Sequence, residues 1–422
     1  MNVRPLKLLS VAEATALYHS KLAAAEPAVE TARLTEAIGR VLAETVRAAD
    51  DVPGFDRSTV DGYAVRAADT FGASEPLPAL LTVAGDVRMG APAGPDLASG
   101  RAVRIPTGGM LPGGADAVVM VEYAEELDAS TVAVQRPVAP GENVLVRGED
   151  MTAGALVLDR GRRLRASDIG ALAGIGRTEV AVFRRPRVAV ISSGDEIVPP
   201  DRAPGPGEVR DINAYGLAAL ATQTGAVASI AGIVRDDFDE LLRVAREALA
   251  ADAVVISGGS SVGTRDATAR VIDALGPPGV LVHGVAVKPG KPTILGLAAG
   301  SPPRPIFGLP GHPASAMVIF ELFVRPVLRR LAGLQEQSVF SEQGPVAPSI
   351  RARLAENVPS SPAREDYVRV RLVVRDDGLW AVPVPGKSGL ITTLVQADGL
   401  VCVPLGRQGY EAGEEVSVRP LT

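Results

Sequence analysis

Lys288 and Lys291 flank Pro289-Gly290, with Pro292 directly behind them. The prolines stiffen the turn, and ammonium groups held on a stiff turn suit an anion. No carboxylate stands beside them in sequence, so the pair reads as a fixed dication. Upstream, Ser257-Gly258-Gly259-Ser260-Ser261-Val262-Gly263 ends the apolar run Ala253-Val254-Val255-Ile256, and Asp266 follows. Downstream, Gly308-Leu309-Pro310-Gly311-His312-Pro313 precedes Ser315. Glycines at strand ends let backbone N–H groups crowd around an anion, and a following helix N-terminus adds partial positive charge. Asp266 reads as a metal ligand or, alternatively, a helix N-cap. Together the three turns suit a phosphorylated ligand plus a second oxyanion. They match neither a Walker A loop nor the spaced dinucleotide fingerprint.

Four weaker motifs surround these turns. Ser192-Ser193-Gly194-Asp195-Glu196 follows an apolar run. Its hydroxyls and amides suit phosphate and Glu196 could accept from a polar heterocycle, but an ordinary strand–helix turn explains it equally well. Asp211-Ile212-Asn213 precedes a helix, and taken alone Asn213 is better read as its N-cap. The stretch 53–65 packs Asp56, Asp61, Ser58 and several glycines around Phe55 and Tyr63, and Gly148-Glu149-Asp150 carries adjacent carboxylates. In isolation both read as solvated turns.

The elements that must position these residues follow from periodicity. Residues 10–26 predict a helix, capped by Ser10 with Glu13 in a capping box and with Val11, Ala14, Leu17 and Tyr18 on one face. Residues 35–43 predict a short helix leading into a strand. From 52 to 146, short apolar runs broken by Gly and Pro predict a β-rich unit of its own. Residues 167–174 predict a helix. If 147–185 packs on the N-terminal segment, the β-rich unit is an insertion. From 187 to 331 strands (188–191, 253–256, 305–307) alternate with helices (214–223 with Gly225 as C-cap, 238–251, 268–275, 314–331), the pattern of a parallel sheet covered on both faces. In helix 238–251, Leu241, Leu242, Ala245, Ala248 and Leu249 share a face. Ligands in such sheets bind at the carboxyl ends of strands, where every glycine-rich turn falls. The polar stretch 335–347 predicts a linker, and 350–422 reads as a small β-barrel or sandwich. The fold class expected is multidomain α/β plus β, with a central doubly wound, mostly parallel α/β domain. The divisions expected are 1–51 with 144–184, 52–143, 185–334 and 345–422.

Composition narrows the function. The 422 residues need several cores. At 4% aromatic and net charge -6, the chain lacks the stacking platforms or polybasic footprint of a nucleic-acid or anionic-membrane binder. One cysteine excludes an internal disulfide and a thiolate zinc site, and three dispersed histidines argue against a His-rich site. A hard cation on carboxylates is the metal left open. Neither a signal peptide nor an apolar span is read, so a cytoplasmic location is expected.

In this order, the motifs resemble the molybdopterin molybdenumtransferase family, which includes the E-domain of gephyrin. The resemblance covers nearly the full chain. It rests on 53–65, Arg104-Ile105-Pro106-Thr107-Gly108-Gly109, the run 112–118, Gly148-Glu149-Asp150, Ser193-Gly194-Asp195-Glu196, Asp211-Ile212-Asn213, 257–266, 288–292 and 308–315. It implies Mg²⁺-dependent insertion of molybdate into adenylylated molybdopterin with release of AMP. It also implies an elongated homodimer whose site is shared between the α/β domain of one subunit and the β-rich insertion of the other. The implied catalytic positions are Asp56, Thr107, Asp150, Glu196, Asp266, Lys288 and Lys291, with Asp56 and Asp266 on the metal. Cofactor-binding positions by the same resemblance are Ser193, Gly194, Asp211, Asn213, Ser257, Gly258, Gly259, Ser261, Gly263, Pro310, Gly311, His312, Ser315, Arg364 and Ser388. Implied partners are the molybdopterin adenylyltransferase and factors that mature molybdoenzymes, with neither nucleic acid nor membrane. His312 stands where the family commonly has Asn, Gly109 where Ala is usual, and Thr59-Val60 replaces Ala-Met. The alternative readings are adenylylation of molybdopterin and a non-catalytic scaffold.

Overall fold

The computed structural model describes residues 8–22, 27–258, 262–334, 340–341, 344–345 and 348–421, with backbone alone for 262–266, 340–341 and 344–345. Its central sheet has the strand order Val227–Val234, Arg187–Ser193, Ala253–Gly258, Arg304–Leu309, Ile294–Ala298, Gly279–His283. The first four run parallel and the last two join antiparallel. Burial explains the apolar runs. Val188 and Val190 point to one core with Leu217, Phe307 and Phe320, while Ala189 and Ile191 point to the other with Leu241 and Ile272. A strand buried on both faces has no polar side to alternate. Three strands escaped the sequence reading: Val227–Val234, Gly279–His283 and Ile294–Ala298. The first lies on the sheet edge and is largely exposed, so it carries no continuous apolar run.

Most helices fall close to expectation, but the one expected at 268–275 spans Val262–Ala274. Val11–Lys21 has the Ser10/Glu13 capping box. Its buried face packs on the α/β core, where Tyr18 donates to the Gly296 carbonyl at 3.0 Å. Residues 23–26 of the expected helix lie outside the described residues. Phe238–Ala248 starts on Asp237, whose carboxylate accepts from Glu240 N–H. The single long helix expected at 314–331 is instead Pro313–Ile319, a π-helical turn Phe320–Val324, and Arg325–Leu331. Pro326 lacks an N–H and would crowd the carbonyl four residues back, so a widened turn before it relieves the ladder. The short helix expected to open residues 35–43 is only the 3₁₀ turn Leu34–Glu36, with Gly39 at φ +73° stopping any continuation, and Val41 and Leu42 then form antiparallel bridges to Arg163 and Val182.

Val29–Arg33 pairs with Glu179–Phe183, and Val46–Arg47 with Leu156–Leu158. A bridge between Val52 and Met151 brings together the two ends of the intervening segment. Inside it a six-stranded sheet runs Ala117–Met120, Gly62–Val65, Arg101–Ile105, Ala79–Asp86, Thr131–Val134, Ala124–Asp128. Of 335–347, Phe340–Ser341 and Gly344–Pro345 pair antiparallel, and the rest lies outside the described residues. At the C-terminal end Ile350–Leu354, Glu365–Arg375, Gly378–Pro383, Gly399–Val403 and Glu415–Pro420 close into a barrel, because Glu365–Arg375 pairs with both Gly378–Pro383 and Gly399–Val403. Val287–Lys288, leading into the lysine turn, adds in parallel to Glu365 and Asp366 of that barrel. Among the described residues no helix is long and apolar enough to cross a membrane.

Candidate functional site

That short parallel ladder creates a cleft of about 1090 Å³ between the α/β sheet and the barrel. The α/β side supplies Lys288, Lys291, Pro310, Gly311, His312 and Ser315, and the barrel side supplies Arg364, Asp366, Arg369, Lys387 and Ser388. Gly290 is obligatory in the lysine turn: it takes φ +119°, and a Cβ would sit 2.5 Å from the Ile319 side chain. Thr293, fully buried, donates to the Gly290 carbonyl at 2.6 Å and fixes the turn. Two residues far apart in sequence meet at the rim, where His312 Nδ1 lies 2.8 Å from Ser388 Oγ. Ala314 N–H also donates to the Ser388 carbonyl, so the helix start and the barrel loop are tied twice. His312 therefore places a hydrogen-bonding group at this seam.

The fixed-dication reading needs correction. Lys288 Nζ lies 2.8 Å from Asp366 Oδ2, a carboxylate 78 residues downstream that sequence adjacency could not reveal. Lys291 remains exposed. The cleft is basic even so, with five cationic side chains (Lys288, Lys291, Arg364, Arg369, Lys387) against two carboxylates, Asp366 and Glu356. Arg369 reaches Thr393 Oγ1 and the Gly386 carbonyl, both at 2.7 Å, and so pins the loop that carries Lys387 and Ser388. Burial pushes its guanidinium down from the usual value, against the pull of Asp366.

Behind the cleft the carboxyl ends of the parallel strands stand in register, Ser193 beside both Gly258 and Val234, and Ser257 beside Leu309. A Cβ on Gly258 would sit 1.9 Å from the Ser193 carbonyl oxygen, so only glycine allows these strand ends to meet. Asn213 bridges the ends. Its Nδ2 donates to Ser257 Oγ and to the Gly311 carbonyl, each at 2.8 Å, and its buried Oδ1 has no partner among the described residues. The N-cap reading of Asn213 is therefore overturned: Asn213 is the first residue of helix Asn213–Thr224, and Asp211 accepts from Ala214 N–H in the capping role. The N-cap alternative for Asp266 falls as well, since helix Val262–Ala274 starts four residues earlier. Gly259 and Ser261 lie outside the described residues, Gly263 is in that helix, and the Asp266 side chain is not described.

A carboxylate missed in the sequence joins Ser193–Glu196. Asp236 Oδ1 accepts from Ser193 Oγ at 3.1 Å, and its own N–H reaches Asp195 Oδ1 at 3.4 Å. Burial first, then the charges of Asp195 and Glu196, hold the Asp236 carboxyl above its usual range, with the Ser193 hydrogen bond opposing. Recognising the edge strand Val227–Val234 would have put Asp236 at the sheet's carboxyl edge. Among the described residues no three His, Cys, Asp or Glu side chains converge to hold a metal.

Asp56, Thr107 and Asp150 do not line the cleft. All three are exposed on or beside the inserted unit. Asp56 Oδ1 accepts from Arg147 N–H at 2.7 Å. Thr107 donates through N–H and Oγ1 to Asp61, at 2.7 and 3.0 Å, and these bonds hold the Asp61 carboxyl below its usual range.

Three family models align along the chain: MoeA N-terminal region (domain I and II) at 9–176, probable molybdopterin binding domain at 189–330, and MoeA C-terminal region (domain IV) at 351–421. A molybdopterin molybdenumtransferase of Nostoc sp. is 36% identical over 401 residues, covering 93% of this chain and 88% of the relative. One from Staphylococcus aureus is 33% identical over 394 residues, covering 93% and 91%. A solved molybdopterin biosynthesis MoeA protein of Pyrococcus horikoshii superposes with TM-score 0.82 at 30% identity, covering 98% of this chain and 100% of that one. A second structure from the same organism gives 0.79 at 39% identity, covering 98% and 99%.

Proposed function

Because the chain belongs to the molybdopterin molybdenumtransferase family, we propose that its basic cleft receives molybdate and delivers it to adenylylated molybdopterin, with release of AMP. The chain is a transferase of molybdenum cofactor biosynthesis. One observation carries the finer reading: Lys288, Lys291 and Arg364, with Ser315 and Ser388, come from distant segments to line a single cleft. Lysine, guanidinium and hydroxyl groups are the donors a tetrahedral dianion requires.

In this reading Ser193, Gly194, Asp211, Asn213, Ser257, Gly258, Gly259, Ser261 and Gly263 hold the pterin phosphate end, and Lys288 and Lys291 hold the oxyanion. Pro310, Gly311 and His312 form the wall between them. Asp266 with Asp56 would hold Mg²⁺, which would supply charge compensation at the phosphoanhydride. No side chain is assigned as covalent nucleophile; an oxygen of molybdate or of water attacks phosphorus, the bridging P–O bond of the phosphoanhydride breaks, and AMP leaves. Asp56, Thr107 and Asp150 act from a second copy of the chain, a reading supported by their exposure away from this chain's own cleft. The four-unit division stated above, receipt of substrate from the adenylyltransferase, transfer to maturation factors and a cytoplasmic location belong to the same reading.

The purified protein with adenylylated molybdopterin, Mg²⁺ and molybdate is expected to release AMP. Lys288→Ala is expected to slow release on the order of a hundredfold. Binding without AMP release, while a control transferase turns over, refutes the proposal. Tungstate in place of molybdate reports the oxyanion preference.

A further inference from the structure

Lys288 stands half-exposed at the cleft with one N–H already committed to a buried carboxylate, Asp366. We propose that Asp366 is a positioning residue, which aims Lys288 so that its two remaining N–H donors point at the incoming oxyanion. The inference rests on the oxyanion reading above and deepens it.

Three observations carry it. The Asp366 side chain is 5% exposed while that of Lys288 is 50% exposed, so the carboxylate is the fixed partner and the ammonium the presented one. Asp366 is itself held, since Ser360 Oγ donates to the same Oδ2 at 3.3 Å. The backbone around the pair needs neither side chain. Val287 and Lys288 pair with Glu365 and Asp366 through the main chain, and Glu365 N–H donates to the Ala286 carbonyl at 2.9 Å. The seam between sheet and barrel therefore survives loss of the carboxylate, while the lysine's four-carbon stem is freed. An untethered lysine pays rotamer entropy each time it engages a ligand.

A purely electrostatic role makes the opposite prediction. A carboxylate in an anion cleft repels the ligand, so removing it would tighten binding. Only a positioning role makes removal of this negative charge weaken anion binding.

The test is calorimetric titration of the full-length protein with molybdate alone, without the pterin substrate. Asp366→Asn is expected to weaken molybdate binding about tenfold, the value of one charge-assisted hydrogen bond lost from register. Asp366→Glu keeps the charge and is expected to recover part of that loss. In a Lys288→Ala background, Asp366→Asn is expected to add nothing, because Asp366 acts through the lysine. Unchanged or tighter binding by Asp366→Asn, or additive losses in the double variant, overturns the positioning role while leaving the oxyanion site standing if Lys288→Ala alone impairs binding. Failure of the unmodified protein to bind molybdate removes the site and this inference together. Circular dichroism melts of each variant distinguish lost aim from lost fold. If Asp366→Asn melts without a native baseline, Asp366→Glu in the two lysine backgrounds carries the same cycle.

Discussion

Replacing Asn213 with Asp changes one atom's chemistry at the centre of the strand-end junction. The side chain is 93% buried, being 7% exposed, and its Nδ2 donates to Ser257 Oγ and the Gly311 carbonyl. The Ser257 hydroxyl can turn and donate to a carboxylate, but the Gly311 carbonyl can only accept. The ionised variant therefore loses at least one hydrogen bond, about 1 kcal/mol. It also sets a buried anion against a carbonyl oxygen, and the carboxyl escapes by taking a proton and donating it to Gly311. Its folded pKa is thus raised above the unfolded value of about 3.9. For a raised acid the stabilising contribution is full below the unfolded pKa and is lost as pH rises through the folded one. The stability gap to the parent should be smallest near pH 4 and should widen as pH rises, by a total of about 1.4 kcal/mol for each unit of upward shift once pH exceeds the folded value. Urea unfolding of both proteins from about pH 4.5 to about pH 8 measures it. Asn213→Ala, which cannot ionise, should show a flat gap. A flat gap for Asn213→Asp as well would refute the reasoning, since the buried carbonyl would then not be discriminating donor from anion.

Two further perturbations use the same linkage. Asp236, held high by burial and by the charges of Asp195 and Glu196, opposes folding increasingly as pH rises through its folded pKa. Asp236→Asn should therefore gain stability relative to the parent above about pH 4 and not below it, and a pH-independent difference in melting point would count against the carboxylate cluster. Asp252 is buried and receives Arg184 at 2.9 Å, Arg304 at 3.1 Å and Arg187 N–H at 2.7 Å. Burial pushes its carboxyl up, but Arg184 and the Arg187 N–H pull it below its usual range. Its contribution is present above the unfolded pKa and lost as pH falls through the folded one. Asp252→Ala should cost about 2 kcal/mol at neutral pH, less than a fully buried pair because both arginines are about one-third exposed. The loss should shrink on acidification, and a loss that persists undiminished at low pH would assign it to packing instead.

Much of the local architecture was legible because it depends on near neighbours. The Ser10/Glu13 capping box, the Gly225 C-cap at φ 100° and the doubly buried strand Arg187–Ser193 each follow from a few adjacent residues. The π turn before Pro326 was less legible, since the same apolar spacing fits an uninterrupted helix until the proline's missing N–H is counted. Asp236 was overlooked for a related reason: the strand delivering it lies on the sheet edge, where exposure removes the apolar run that marks a buried strand.

The sequence by itself determined the donors and where each one stands on its own element: glycines at strand ends, lysines across Pro289-Gly290, Ser315 at a helix start. Periodicity and turn chemistry act over a few residues, and these features need no more. Only the tertiary structure decided which of them share a site. It sewed Val287–Lys288 onto the barrel, which brought Arg364 and Ser388 to the lysines and turned the apparent dication into a lysine held by Asp366. It left Asp56 and Thr107 outside that cleft. Pairing between strands some 78 residues apart depends on the register of two separate cores, and no local pattern encodes that register.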